Sequence, residues 1–101
     1  MAIAQVSIVP LGTGSSSLSA YVAQVAEWLE NRGVNYRLTP MGTILEGEAG
    51  NLLEIIALMH ELPFQAGAAR VMTLINIDDR RDKQATAQGK IESVKARLNR
   101  D

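Results

Sequence analysis

The run Val34-Asn35-Tyr36-Arg37-Leu38-Thr39-Pro40-Met41-Gly42-Thr43-Ile44-Leu45-Glu46-Gly47-Glu48 decides the fold. Residues 34–39 and 43–48 read as two strands. Between them Pro40 presets one backbone angle and Gly42 tolerates a positive one, so Pro40-Met41-Gly42 makes a turn and the strands form a hairpin.

Upstream of the hairpin, Leu18, Val22, Val25 and Leu29 recur at helical spacing. Ser16 or Ser17 can accept a first-turn amide, and Gly33 suits the left-handed position after the helix end. Residues 11–17 supply the glycines and serines of a loop. Before them residues 3–9 alternate, with Ala4, Val6 and Ile8 on one face and Ile3, Gln5, Ser7 and Val9 on the other. Pro10 lacks an amide donor and is expected to end that strand's pairing.

Downstream, Asn51 with Glu54 resembles a capping pair, and Leu52, Ile55, Ile56, Met59 and Leu62 draw an apolar stripe on a second helix. Pro63 should kink or shorten it, and Gly67 closes it. Residues 70–77 follow as a strand, with Val71, Thr73, Ile75 and Ile77 facing opposite to Met72 and Leu74. From about residue 84 to 99, Ala87, Ile91, Val94 and Leu98 mark a third helix, with Gly89 its weak point.

The order is two βαβ halves joined by the hairpin, then a helix. This predicts an α+β chain, a ferredoxin-like βαββαβ sandwich with an additional C-terminal helix, in a single domain over residues 1–101. Right-handed crossovers put the first and third strands in the middle of an antiparallel four-stranded sheet, with helices on one face. Apolar residues on the uncovered face need a cover, and a second copy of the chain supplies it. A homodimer or homotetramer is expected.

Composition narrows the partners. Of 101 residues 47% are hydrophobic, and ten basic residues stand against eleven acidic ones for a net charge of -1. That balance disfavours nucleic acid and polybasic membrane contact. No cysteine is present, which removes disulfides, thiolate catalysis and the usual structural zinc sites. Without a basic leader or an apolar run of about 20 residues, a soluble, unprocessed, cytoplasmic chain is expected.

Few residues point to chemistry. Gly12-Thr13-Gly14 and three serines lie before a helix start, where amides can hold an anion, but the lysine of a P-loop and the third glycine of a dinucleotide fingerprint are missing. Asp78-Asp79-Arg80-Arg81-Asp82-Lys83 reads as a solvated turn or as a source of ion pairs between subunits. His60 is the only histidine and supports neither a metal site nor a triad. Glu46 and Glu48 share a strand face without an obvious proton partner. Tyr21, Trp28 and Tyr36 suit either core margins or stacking on a flat heterocycle. No catalytic or metal-ligating set emerges.

Three strings are informative together: Ile8-Val9-Pro10-Leu11-Gly12-Thr13-Gly14, Tyr36-Arg37-Leu38-Thr39-Pro40-Met41-Gly42-Thr43, and Ile77-Asp78-Asp79-Arg80-Arg81-Asp82-Lys83. They resemble the small thiamine-binding-protein family related to the YkoF-like proteins, in order across nearly the whole chain. Pro63 and the Gln84-Ala85 start of the tail look atypical of it. The resemblance implies a ferredoxin-like subunit in dimers and tetramers. It would bind thiamine or its hydroxymethylpyrimidine portion without turnover, as a carrier, sensor or scavenger with no further cofactor. Thiamine pairs a flat aminopyrimidine with a cationic thiazolium. Set against it, Ser7, Thr39 and Thr43 offer hydroxyls, Met41 a pliable apolar contact, and Glu46 or Asp78 a negative charge, in a pocket beside the sheet and subunit boundary. A scaffold that ignores thiamine, or an enzyme on the same fold, are the alternatives.

Overall fold

Small residues on one side of the first strand set the thickness of the molecule. The computed structural model describes residues 1–12, 19–82 and 87–98. Strand β1 (Ala2–Leu11) buries Ala2, Ala4 and Val6, and side chains this short let a helix approach the sheet closely. That helix is α2 (Ala49–Gln65), which meets β1 with its stripe of Leu52, Ile56, Met59 and Leu62. Helix α1 (Ser19–Asn31) adds Val25 and Leu29, and Leu45 of β3 (Gly42–Gly47) closes the core.

With β2 (Tyr36–Thr39) and β4 (Arg70–Asp79), the strands lie in the order β2-β3-β1-β4, every neighbour antiparallel. This is the α+β, ferredoxin-like arrangement expected, with β1 and β3 central. Ala2, Ala4 and Val6 pair with Asp79, Ile77 and Ile75, so the odd-numbered residues of β4 share the helix-covered face and Met72, Leu74, Asn76 and Asp78 the other.

Several element ends differ from expectation. Pro10 does not end β1 but pairs in register with Val71. The β1–β3 ladder stops at Val6–Thr43, where the hairpin turns back, so beyond that point one flank of β1 has no ladder for a missing amide to break. Strand β2 starts at Tyr36 rather than Val34. Helix α2 starts before Asn51, because Glu48 is its N-cap and its carbonyl accepts the Leu52 amide at 2.9 Å. Pro63 sits in the last turn of α2, which ends two residues later. Its carbonyl accepts from Ala66 (3.1 Å) and Ala68 (2.9 Å). Gly33 (φ 68°) and Gly67 (φ 104°) take the left-handed positions after α1 and α2. The expected cap at Ser16 or Ser17, Leu18 of the first stripe, and most of the Gly12 loop lie outside the described residues, as does the start of the tail at Gln84.

Helices α1 and α2 cover one face, but α3 (Ala87–Leu98) does not join them. Its first amide, from Ala87, donates to Glu46 Oε1 at 2.5 Å, and Lys90 pairs with Asp78. Both carboxylates stand on the other face of the sheet, opposite Ile3 in register. Helix α3 therefore begins over the open face, and its stripe of Ile91, Val94 and Leu98 stays exposed.

Candidate functional site

The hairpin is shorter than β1, and the difference makes a notch. Past Val6, β1 keeps β4 on one side and loses β3 on the other, so residues 7–9 present a backbone flank that no strand pairs. The hairpin tip and the first turns of α1 wall this notch into a cleft of about 290 Å³, bounded by residues 6–9, residues 38–43, Tyr21, Val22 and Val25.

Thr39 builds the tip. Its hydroxyl donates to the Gly42 carbonyl at 2.8 Å and accepts from the amides of Met41 (3.3 Å) and Gly42 (3.1 Å), which uses its full hydrogen-bonding capacity. Ser7 ties the tip to β1 by donating to the Met41 carbonyl at 2.8 Å. Gly42 allows this approach, since a Cβ there would lie 2.9 Å from both Ser7 Oγ and the Val6 carbonyl oxygen. Met41 stands at the lip, 77% exposed.

Thr43 is the polar residue in an otherwise apolar set of buried side chains, 8% exposed on the helix-covered face opposite Val6. It lines the cleft, to which its hydroxyl is open, since among the described residues no buried side-chain oxygen or nitrogen lacks a hydrogen-bond partner. A hydroxyl open to the cleft can donate to or accept from a polar group seated there.

Ser7, Thr39, Met41 and Thr43 thus come together. Glu46 and Asp78 do not join them. Both lie opposite Ile3, four residues along β1 from Ser7, or about 13 Å at the rise of a strand. Glu46 is engaged by Asn35 Nδ2 at 3.3 Å and by Ala87, and Asp78 by Lys90. Among the described residues no charged side chain lines the cleft. A second, wider hollow of about 350 Å³ lies at the acidic end, between Arg32, Asn35, Glu46, Glu48 and Glu54. Sequence reasoning missed Val22 and Leu38 as cleft walls and named Tyr21 only as one of three aromatics suited to core margins or to stacking on a ring. The available signal was Thr43 itself, a polar residue at an inward position of an alternating strand.

The remaining candidates engage one another or neighbours away from the cleft. Arg80 pairs with Asp82 (2.6 Å) and Arg81 with Asp79 (2.7 Å); the guanidinium of Arg81 holds the Asp79 carboxyl below its ordinary range. His60 Nδ1 lies 2.7 Å from Thr73 Oγ1 and its ring meets Phe64 edge-on. Arg32 stacks 4.4 Å from the Trp28 ring centre. Tyr36 donates to Glu30 at 2.8 Å, and that bond raises its phenol pKa. Among the described residues no group of three His, Asp or Glu side chains could hold a metal ion, and no helix is long and apolar enough to cross a membrane.

Comparison with known proteins agrees with the fold. The profile described as thiamine-binding protein matches residues 4–95. The UPF0045 protein YqgV of Bacillus subtilis is 52% identical, over 97% of this chain and 98% of its own. A UPF0045 protein of Methanothermobacter thermautotrophicus is 44% identical, over 97% of this chain and 100% of its own. The crystal structure of a hypothetical protein of Methanocaldococcus jannaschii superposes with a TM-score of 0.81 at 32% identity, covering 93% of this chain and 95% of that one.

Proposed function

The chain belongs to the thiamine-binding protein family, and from that premise we propose that it binds thiamine by its aminopyrimidine ring, or the free hydroxymethylpyrimidine, in the cleft beside the hairpin tip. The binding is non-enzymatic, in a cytoplasmic homo-oligomer that carries, senses or scavenges the compound. The observation that carries this reading is a small cleft with no charged side chain among its described lining residues and with the Thr43 hydroxyl in its wall.

The parts fit a flat ring that both donates and accepts. Tyr21 offers an aromatic wall, the unflanked stretch of β1 offers backbone groups, and Ser7 keeps lone pairs beyond the bond it donates. Thr39 contributes its methyl group, because its hydroxyl is taken up by the turn. Met41 can close over the ring from the lip. At about 290 Å³ the cleft is at the small end of ligand sites, sized for one ring system. With no acid in its walls it gives the thiazolium nothing to pair with, so that cation belongs at the mouth, in water. Neither Glu46 nor Asp78 has a part in this version of the site.

Isothermal titration with thiamine, thiamine phosphate and hydroxymethylpyrimidine tests the reading. Saturable binding of the free pyrimidine within about tenfold of thiamine is expected, and no heat from any of the three overturns it. Thr43→Val should weaken binding by about 1–3 kcal/mol and leave the melting temperature unchanged or raised, since it exchanges a hydroxyl that faces the cleft for a methyl group of similar size. Glu46→Gln should leave binding unchanged. The reverse pair of results would move the ligand to the acidic hollow.

Self-association is supported by exposed apolar side chains on the open sheet face (Met72, Leu74) and along α3. Stable oligomers without any thiamine response would instead favour a scaffold.

A further inference from the structure

Backbone groups alternate along a strand as strictly as side chains do: the N–H and C=O of one residue turn to one flank, and those of the next residue to the other. Two observations fix the phase on β1. At its start the Met1 amine donates to the Arg80 carbonyl and the Arg80 amide to the Met1 carbonyl, both at 3.3 Å. The register carries this exchange two residues at a time to Ile3–Asp78, Gln5–Asn76, Ser7–Leu74 and Val9–Met72, so the odd-numbered residues of β1 turn to β4. On the hairpin the Glu46 amide donates to the Asn35 carbonyl at 3.3 Å, so even-numbered residues of β3 turn to β2 and odd-numbered ones to β1. Thr43 and Leu45 then meet Val6 and Ala4, and both ladders agree that even-numbered residues of β1 turn away from β4. Pro10 obeys the same phase, because its nitrogen falls on the flank that β4 does not use.

The next even-numbered residue after Val6 is Ile8. The β3 ladder has stopped there, and among the described residues no backbone group of a turn or loop takes its place. Ile8 lines the cleft. Its N–H and C=O therefore open into the cleft side by side, and such groups need a partner from water or a ligand. A peptide strand suits the place poorly: the next residue on this flank is Pro10, which has no amide, and the hairpin tip stands in the way toward Val6. A single ring suits it well.

From this we infer that Ile8 reads the ligand through its main chain, its amide donating to a ring nitrogen and its carbonyl accepting from an amino group next to that nitrogen. This contact rests on the pyrimidine binding proposed above and names the edge of the ring that is recognised. Thiamine and hydroxymethylpyrimidine both carry an amino group beside a ring nitrogen, the acceptor and donor that a paired strand residue would present. Direction follows as well. The amide of Ile8 precedes its carbonyl along β1, so the ring nitrogen lies toward the hairpin tip and the amino group toward Pro10. The ring's methyl group, on the far side of that nitrogen, then faces the tip. The substituent on the far side of the amino group points to the open end. The ligand class is a flat aminopyrimidine with a small group beside the ring nitrogen and wide latitude beside the amino group.

Amide exchange followed by NMR, with hydroxymethylpyrimidine as the probe, tests the assignment. Without ligand the Ile8 amide should exchange fast, between slow amides at Ser7 and Val9, and saturation should slow it by about tenfold or more. The analogue without the amino group should bind about tenfold or more weakly. Enlarging the methyl group to propyl should weaken binding comparably, whereas lengthening the substituent beside the amino group should not. Ile8→Pro deletes the amide without removing a bond to β4 and should lose binding; if that variant does not fold, exchange in the wild-type chain still decides. If the pyrimidine shifts the resonances of other cleft residues, but the Ile8 amide is already slow or does not respond, the main-chain contact is overturned while binding in the cleft stands. No shift anywhere at millimolar pyrimidine overturns the binding itself.

Discussion

Gly42 and Thr43 are adjacent and do opposite things. Gly42 lets the hairpin tip lie against β1. In Gly42→Ala the new methyl would meet the Val6 carbonyl and Ser7 Oγ at 2.9 Å, and the backbone oxygen can yield only by moving the strand. A loss of about 1–3 kcal/mol is expected by urea denaturation, together with loss of ligand binding, because the tip that walls the cleft is displaced. Thr43 instead lines the cleft with a hydroxyl, so its replacement by valine should separate binding from stability. Tyr36 supplies a pH signature. Its bond to Glu30 raises the phenol pKa, which favours the protonated, folded form. The contribution is complete below the ordinary phenol value of about 10 and lost as the pH rises through the folded value. Both groups face solvent, so the effect is small. A wild-type melting temperature that falls more steeply above that pH than the Tyr36→Phe variant's is the expected result.

The elements divide into a packed set and an outlying one. Sheet, α1 and α2 share one core, while α3 buries no residue and is moored at its first turn by Glu46 and Asp78. Short helices are marginal by themselves because nucleation is costly, so the mooring should decide the order of α3. In Glu46→Ala the Ala87 amide loses its acceptor, a local cost of about 1 kcal/mol, as for a lost helix cap. Faster amide exchange in the first turn of α3, with the denaturation midpoint of the core unchanged, is the expected outcome. An equal fall in both would mean that α3 is integral to the fold of the single chain.

At the scale of the molecule, the proposed roles divide between two ends and two faces. The cleft opens where the hairpin falls short of β1, on one end. The acids and α3 occupy the other end, and β4 runs between them. Binding at the cleft should raise the melting temperature with ligand concentration, by the equivalent of about 2.7 kcal/mol at a hundredfold excess over the dissociation constant. Thr43→Val should shrink that rise at the same ligand concentration. Leu74 and Val94 variants should leave the ligand-induced rise in place while changing oligomer size, since neither residue lines the cleft.

Much of this was legible in the sequence, because periodicity is local. The alternation of residues 3–9, the stripes of the helices and the turn at Pro40-Met41-Gly42 each reside in a few neighbouring residues, and their order leaves one economical topology. The ends of elements were less legible. Pro10 stays in β1 because β3 has already turned away, and Glu48 rather than Asn51 begins α2; both depend on partners distant in sequence. The same holds at the site. Ser7, Thr39, Met41 and Thr43 could be named from residue type, but only strand register put them in one notch and moved Glu46 and Asp78 to the far end. Sequence by itself determined the pattern of faces, since side-chain direction follows backbone period. Tertiary structure alone decided which faces meet, because register, the length of one strand against another and the reach of a helix across a sheet are set by packing between residues far apart in the chain.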